Sequence, residues 1–144
     1  MATAPPPSWR VAQLATIPML SVLDRGQLEK IAGAGGERTF HAGETIVRQG
    51  ERCLGLYLLL GGSADVRRSG QKVATLSPGK FFGEAALLAD EPHTTEVFAT
   101  AEVTCFVLNR WNFWSAVGID PQADRALFDQ TVQRLRASQP RPIE

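Results

Sequence analysis

The most informative stretch of this 144-residue chain is Phe82-Gly83-Glu84-Ala85-Ala86-Leu87-Leu88, followed shortly by Pro92-His93-Thr94-Thr95. A glycine directly before a short apolar helical run lets backbone N–H groups approach a ligand closely, because glycine has no side chain. The positive end of a helix dipole favours an anion at the same place. Residues 79–97 therefore predict a pocket that would suit an anion such as a phosphate.

The same stretch closely resembles the phosphate-binding cassette of cyclic nucleotide-binding domains, which reads F-G-E-x-A-L-L, a short gap, then P-R-[ST/A]-A. The first half matches residue for residue, and Pro92 matches as well. The arginine position holds His93 instead. In the family that arginine pairs with the cyclic phosphate, so the substitution falls on a residue central to affinity.

The resemblance implies ligand-binding roles along the cassette. Glu84 would accept a hydrogen bond from a ribose 2′-hydroxyl, the alternative being charge compensation at a helix N-terminus. Small residues after the phenylalanine would let backbone N–H groups reach the cyclic phosphate. The expected binding residues are Phe82, Gly83, Glu84, Ala85, Ala86, His93, Thr94 and Thr95. We expect the ligand to be cAMP or cGMP, with no cofactor and no metal.

His93 is the residue on which affinity turns. An imidazole with its usual pKa of about 6.5 is mostly neutral near pH 7 and lacks the two-pronged geometry of a guanidinium. Losing a charge-assisted bond of roughly 1.5–3 kcal/mol weakens the affinity about ten- to a hundredfold. A bound phosphate would favour the protonated form, so capture should tighten in mild acid. The alternative is a solvated turn histidine in a site that has lost its ligand.

Two further polar residues follow His93. The resemblance gives the Thr94 hydroxyl a contact with phosphate or guanine, as in family members with serine or threonine there. Glu96 replaces a small residue and would repel an anion if it pointed inward. Strand alternation predicts that Thr94 and Glu96 share one face, with Thr95 and Val97 on the other.

The composition limits the classes of partner that the chain is expected to bind. Fifteen basic and fifteen acidic residues leave no net charge, so nothing in the composition favours DNA or an anionic membrane as a partner. The N-terminus lacks the features of a signal peptide and no apolar run is long enough to span a bilayer, so we expect a cytoplasmic protein. Cys53 and Cys105 have no second cysteine or paired histidine at metal spacing and are expected to be structural thiols.

The region from Glu37 to Asn109 consists of short extended runs separated by glycine and proline turns, which predicts an antiparallel barrel or sandwich. The predicted strands are Glu37–Phe40, Thr45–Arg48, Leu54–Leu60, Ser63–Arg68, Gln71–Leu76, Thr94–Thr100 and Glu102–Leu108. The resemblance extends through their turns, at Phe40-His41-Ala42-Gly43-Glu44, Gly50-Glu51 and Leu58-Leu59-Leu60-Gly61-Gly62.

Helices flank this region on both sides. Order should begin near Trp9, and Asp24 with Gln27 forms a capping-box signature for a second helix. After the strands, Arg110–Val117 reads as an aromatic helix whose Trp111, Phe113 and Trp114 either cap the core or take part in a hinge. Asp120 as N-cap and Pro121 at the first helical position predict a last helix. Its apolar stripe comprises Ala123, Leu127, Phe128, Thr131, Val132 and Leu135.

The predicted fold is α+β and mainly β: a jelly-roll-like antiparallel β-roll with N-terminal helices and two C-terminal helices. The expected limits are a flexible lead at 1–8, the domain at 9–138 and a tail at 139–144, with the roll at 37–109, the cassette at 79–97 and the family's hinge and lid helices at 110–138. The resemblance implies a stand-alone regulatory sensor and no enzyme. The alternative is a degenerate module that binds a protein partner. The last helix should fold onto the roll or pair with a second copy in a homodimer.

Overall fold

The computed structural model of the protein describes residues 8–138. Residues 1–7 of the predicted lead at 1–8 and the tail at 139–144 lie outside the described residues. The predicted end of the lead at residue 8 is wrong by one residue, because Ser8 is the first residue of helix α1. The described residues divide into a helical unit, formed by residues 8–35 and 111–138, and a roll unit, Gly36–Arg110.

The N-terminal part of the helical unit contains two α-helices, as the sequence predicted. These are α1, Ser8–Ala15, and α2, Arg25–Ala34, with a 3₁₀ helix at Leu20–Val22 between them. The capping box is confirmed, because the Gln27 N–H donates to Asp24 Oδ1 at 2.8 Å and the Asp24 N–H donates to Gln27 Oε1 at 3.1 Å. These bonds satisfy N–H groups that have no partner within the helix.

The C-terminal part contains α3, Arg110–Val117, and α4, Arg125–Ala137. The prediction that α4 starts at Pro121 is wrong. Asp120 Oδ1 accepts from the N–H groups of Gln122 and Ala123, so Asp120 caps a separate turn. Asp124 then flanks α4 without a side-chain cap. The side-chain hydrogen bonds of an aspartate compete with the formation of a helix, and here those of Asp120 stabilise a separate turn instead.

The apolar stripe of α4 is only partly covered. Leu135 is fully buried, and the Phe128 ring packs on Trp114 with centroids 4.5 Å apart. Leu127 remains 42% exposed. The aromatic residues of α3 also separate, since Phe113 and Trp114 are buried whereas Trp111 is 57% exposed. Packing within the helical unit therefore accounts for part of each stripe.

The roll unit consists of two four-stranded antiparallel sheets, which confirms the predicted fold class. Its strands are β1, Gly36–Phe40; β2, Thr45–Val47; β3, Gly55–Gly61; β4, Ala64–Arg68; β5, Gln71–Leu76; β6, Phe81–Phe82; β7, Glu96–Ala99; and β8, Val103–Asn109. One sheet has the order β1-β8-β3-β6 and the other β2-β7-β4-β5.

Alternate residues of both sheets form the core of the roll unit. This inner face comprises Phe40, Val47, Leu59, Ala64, Val66, Leu76, Val97, Ala99, Val103 and Cys105, with Ile46, Tyr57, Ala74, Phe82 and Val107 only partly buried against it. Successive side chains of a strand point to opposite faces, so every second residue of β7 reaches the core. The partly buried members leave apolar surface on the inner face next to the cassette.

Several observed strand ends differ from the predicted ones by one residue, and two larger differences lie at the cassette. β6 was not predicted, because two residues are too few to give an alternating pattern; it pairs Tyr57 with Phe82 and Leu58 with Phe81. β7 begins at Glu96 rather than Thr94. The reason is that the backbone of His93 bonds to the turn at Gly50 and Glu51 and so leaves the ladder.

Both cysteines are buried free thiols, as expected. Burial raises the pKa of Cys105 to about 11, against a smaller opposing effect of Arg38. Burial also raises the pKa of Cys53, and the Glu84 and Glu91 carboxylates add to this rise. A thiol held in its neutral form is a weak nucleophile, so neither cysteine has the character of a reactive site.

Candidate functional site

The cassette begins with Gly83, which adopts the left-handed conformation at φ 79° and ψ 10°. A Cβ at this position would overlap the carbonyl oxygen of Gly55 and lie 3.3 Å from Cys53 Sγ. Only glycine meets both demands, because other L-residues are strained at positive φ. The close approach of Gly83 to the start of β3 therefore fixes the position of the residues that follow.

A single 3₁₀ helix, Glu84–Leu87, follows Gly83. The expectation of a helix macrodipole requires correction, since four residues in a 3₁₀ turn provide too few aligned peptide units. The Ala86 N–H donates to the Gly83 carbonyl at 3.1 Å. Ala86 is also buried, whereas Ala85 is half-buried and precedes that bond. Of the small residues proposed as phosphate donors, Ala86 already uses its N–H within the turn.

Glu84 is half-buried at the first position of this turn. Its carboxylate lies near the thiol of Cys53, since it contributes to the raised pKa of that residue. Cys53 Sγ in turn donates weakly to the carbonyl oxygens of Gly55, at 3.5 Å, and Gly83, at 3.8 Å. The carboxylate is thus placed where the cassette joins β3, and it is accessible enough to accept a hydrogen bond.

The C-terminal part of the cassette is attached to the turn at Gly50 and Glu51 by a pair of antiparallel backbone hydrogen bonds, a single rung of strand pairing. The His93 N–H donates to the Glu51 carbonyl at 2.8 Å, and the Gly50 N–H donates to the His93 carbonyl at 2.8 Å. One step along, the Cys53 N–H donates to the Glu91 carbonyl at 3.1 Å. The backbone of His93 is therefore fixed to the turn at 50–53, and no local sequence pattern predicted this pairing.

The charges around His93 are mostly neutralised. Burial lowers the pKa of His93 below its ordinary value, and Glu51 opposes this shift only in part. Arg52 Nε lies 2.9 Å from Asp90 Oδ1, and Arg48 Nε lies 3.6 Å from Glu51 Oε1. At neutral pH the imidazole is uncharged, and the nearest arginines already face carboxylates. The cassette thus lacks the fixed positive charge that the family's arginine supplies.

The residues after His93 do not share the predicted arrangement. Thr94 and Thr95 lie in a bend, Thr94 exposed and Thr95 half-buried, so the prediction that Thr94 shares a strand face with Glu96 is wrong. Val97 and Ala99 belong to the core, which places Glu96 on the outer face of its sheet. There Glu96 is the cross-strand partner of Arg67. Its carboxylate therefore does not point into the roll.

Sequence reasoning missed an aromatic pair beside the cassette. The rings of Tyr57 and Phe82 are stacked, with centroids 4.8 Å apart and planes 7° apart, on the inner face immediately before Gly83. Phe82 was expected at the site from its motif, but Tyr57 was not. Only the pairing of β3 with β6 brings them together, and the shortness of β6 concealed that pairing.

In residues 8–138, no three histidine, cysteine, aspartate or glutamate side chains form a group that could hold a metal ion. Within the same residues, no helix is both long and apolar enough to cross a membrane.

Comparison with known proteins identifies the domain family. The sequence profile of the cyclic nucleotide-binding domain matches residues 37–119, more than half of the chain. The chain belongs to the cyclic nucleotide-binding domain family. It is 35% identical over 106 residues to a cAMP-dependent protein kinase regulatory subunit of Debaryomyces hansenii, covering 73% of this chain and 24% of that protein. It is 34% identical over 97 residues to a cGMP-dependent protein kinase of Eimeria tenella, covering 67% of this chain and 10% of that protein.

Solved structures of the family have the same fold. A cyclic nucleotide-binding-like protein from Brucella abortus has a TM-score of 0.72 at 21% identity, covering 76% of this chain and 98% of that chain. The regulatory domain of Toxoplasma gondii PKA, crystallised with cAMP, has a TM-score of 0.65 at 27% identity, covering 88% and 49%. The regulatory subunit of a cAMP-independent protein kinase A from Trypanosoma cruzi, bound to guanosine, has a TM-score of 0.64 at 27% identity, covering 95% and 52%.

Proposed function

We propose that this domain is a regulatory module that binds cAMP or cGMP, with an affinity weakened by His93. The observation that carries the proposal is the geometry of Gly83, whose left-handed backbone and close approach to Gly55 place Glu84 at the start of the cassette turn. A carboxylate there can accept a hydrogen bond from a ribose hydroxyl, which is the role that the family gives to this position. The domain would act by binding and not by catalysis.

The relatives support a ligand built on a purine nucleoside. One structural relative was crystallised with cAMP, and another is bound to guanosine, a nucleoside without a phosphate. The two ligands share a purine and a ribose but differ in the phosphate. The partly buried inner face beside Phe82 offers apolar surface for a base, while Glu84 offers the ribose acceptor. We expect these two features to supply the larger share of binding energy in this chain.

The curated relatives are much longer than this chain, which spans about a quarter of the regulatory subunit and a tenth of the kinase. What the domain controls is therefore also a proposal. By analogy with the regulatory subunits, ligand binding would alter contact with a partner protein. We further propose that the half-covered stripe of α4 supports pairing with a second copy, which sedimentation over a range of concentrations would detect.

Calorimetric titration with cAMP and cGMP tests the proposed function. Glu84→Ala should abolish measurable binding while leaving the far-ultraviolet circular dichroism and the urea midpoint nearly unchanged, because Glu84 is only half-buried. Glu29→Ala is the matched control, since this carboxylate lies on α2 outside the roll unit and pairs only with Arg25 at the surface. Binding that survives Glu84→Ala at full strength would remove Glu84 from the site. If the wild-type protein binds neither nucleotide at millimolar concentration, the protein-interaction alternative replaces this proposal.

A further inference from the structure

The cassette carries an acidic balance that is unusual for a phosphate site. Residues 79–97 contain four carboxylates, at Glu84, Asp90, Glu91 and Glu96, against the one lysine, Lys80. Glu96 lies on the outer face opposite Arg67, so the part of the cassette before His93, residues 79–92, has a net charge of −2 from Glu84, Asp90 and Glu91 against Lys80. The Glu84 and Glu91 carboxylates both raise the pKa of the Cys53 thiol, and the Glu91 carbonyl accepts from the Cys53 N–H, so both residues lie near Cys53. A phosphate brought to this segment therefore meets a negative field.

The arginines of the neighbouring turn do not reverse this balance. Arg52 is engaged with Asp90 and Arg48 with Glu51, and all four side chains are more than half exposed. Exposed ion pairs are weak, so either arginine could turn toward an anion. That movement would leave Asp90 or Glu51 without its partner, so part of the attraction gained at the phosphate is offset by the ion pair that is lost. A repositioned arginine therefore compensates less than a guanidinium held permanently at the phosphate would.

The parts of the site that suit the remainder of the ligand do not depend on charge. Tyr57 and Phe82 form a stacked pair that is only partly buried on the inner face. Ala74 and Val107 add apolar surface to the same face. Purine bases bind well to apolar and aromatic surface, and a ribose diol needs an acceptor such as the Glu84 carboxylate.

From this contrast we infer that the site takes the uncharged purine nucleoside more tightly than the corresponding 3′,5′-cyclic nucleotide. The inference rests on the proposed function, because it uses the same Glu84–ribose contact, and it names the ligand class that the site prefers. The nucleoside keeps the base and ribose interactions and avoids the carboxylates of the cassette. The cyclic nucleotide gains backbone N–H contacts but has no fixed cation opposite its phosphate.

The test is calorimetric titration of the wild-type protein with adenosine, guanosine, cAMP and cGMP near neutral pH. The better nucleoside should have a lower Kd than its own cyclic nucleotide. The titrations should be repeated at about 0.05 M and about 0.5 M salt, because screening weakens repulsion between exposed charges. Affinity for the cyclic nucleotide should rise with salt, opposite to an ordinary phosphate site, while affinity for the nucleoside should stay unchanged.

A charge-neutralising variant separates electrostatics from other effects. Glu91→Gln should increase the affinity for the cyclic nucleotide several-fold and leave that for the nucleoside unchanged. Glu29→Gln, on a surface distant in sequence from the cassette, should change neither and serves as the matched control.

The outcomes distinguish the inference from the proposed function. A cyclic nucleotide that binds more tightly than its nucleoside, with affinity falling as salt rises, overturns the inference and leaves the proposed function standing. A nucleoside that binds more tightly, with loss of both ligands in Glu84→Ala, supports the inference. Absence of binding by all four ligands at millimolar concentration overturns both.

Discussion

At the scale of single residues, His93 is the side chain that we expect to control the affinity of the cassette for a phosphate. Its backbone is fixed by two hydrogen bonds to the turn at Gly50 and Glu51, so its side chain starts from a defined position. Burial lowers its pKa, which keeps the imidazole neutral near pH 7. In the proposed site, His93 would therefore lack the permanent charge that an arginine provides.

His93→Arg should strengthen binding of the cyclic nucleotide by roughly tenfold or more, because a guanidinium offers a permanent charge-assisted bond. The wild-type protein should bind the cyclic nucleotide more tightly near pH 5.5 than near pH 8, since only the protonated imidazole attracts phosphate. The depressed pKa places this gain below the ordinary histidine value. Calorimetry at the two pH values measures both effects.

The groups around His93 set the control for that experiment. Glu51 favours its protonation, and Arg52, Asp90 and Glu91 lie on the segments paired with it. The arginine variant has no imidazole at position 93, so its affinity for the cyclic nucleotide should change much less between the two pH values. An equal pH dependence in both proteins would assign the effect to another group.

Gly83→Ala should destabilise the roll unit by roughly 3 kcal/mol, which combines about 1–2 kcal/mol for an L-residue in the left-handed region with the overlap against Gly55. Gly79→Ala is the matched control, because Gly79 also has positive φ, at 92°, but a Cβ there would meet nothing within 4 Å. Urea unfolding of both variants measures the difference. Equal losses would mean that Gly83 is required for its backbone angles alone.

At the scale of elements, the apolar pattern of α4 predicted its burial only in part. Leu127 and Leu135 both belong to the stripe in the sequence, yet one is largely exposed and the other fully buried. The difference comes from which part of the helix finds a neighbour, and an amphipathic pattern contains no information on that. The helix start shows the same limit, because Asp120 caps its own turn four residues before the helix flank at Asp124.

Leu135→Ala should destabilise the protein by about 2–4 kcal/mol through lost burial and the cavity left behind. Leu127→Ala, the same change on the same helix, should cost less than about 1 kcal/mol because its side chain is largely solvated. Urea midpoints compare the two. Similar losses would show that the exposed face of α4 is covered in solution, as a homodimer through this helix would require, and sedimentation would then identify the second copy.

At the scale of the whole molecule, the sequence was sufficient for the fold class and for most strands. Glycine and proline turns at regular intervals delimit the strands, and Gln71–Leu76 was predicted at its observed limits. Features that depend on pairing between distant segments were not predictable: the strand Phe81–Phe82, the rung joining His93 to Glu51, and the Arg52–Asp90 ion pair. Each results from tertiary structure and leaves no local pattern.

The stability of the molecule should decline at alkaline pH because of its buried thiols. Cys105 has its pKa raised to about 11, so the unfolded chain loses this proton first and is favoured as pH rises above the ordinary thiol range. One such group contributes a slope of at most about 1.4 kcal/mol per pH unit, which levels off above the folded-state value. Urea unfolding near pH 8 and near pH 10 measures the decline.

Cys105→Ala provides the control for this effect. The variant loses some packing at both pH values, but its free energy of unfolding should fall less between them than that of the wild-type protein. Tyr57 also has its pKa raised, mainly by burial and in smaller part by Cys53 and Cys105, so its own contribution remains in the variant with only the Cys105 part removed. An identical decline in the two proteins would assign the alkaline sensitivity to other groups.

The two attachments of the cassette to the start of β3 have a consequence for how a ligand enters. Gly83 packs on Gly55 at one end, and Glu91 accepts from the Cys53 N–H at the other, so contacts within the protein close the intervening loop at both ends. The conformational entropy of closing that loop is thus lost during folding. A ligand that bound to this loop, as we propose, would not have to supply that ordering cost, so the costs of binding would come from its own immobilisation, from desolvation and from the carboxylates of the cassette.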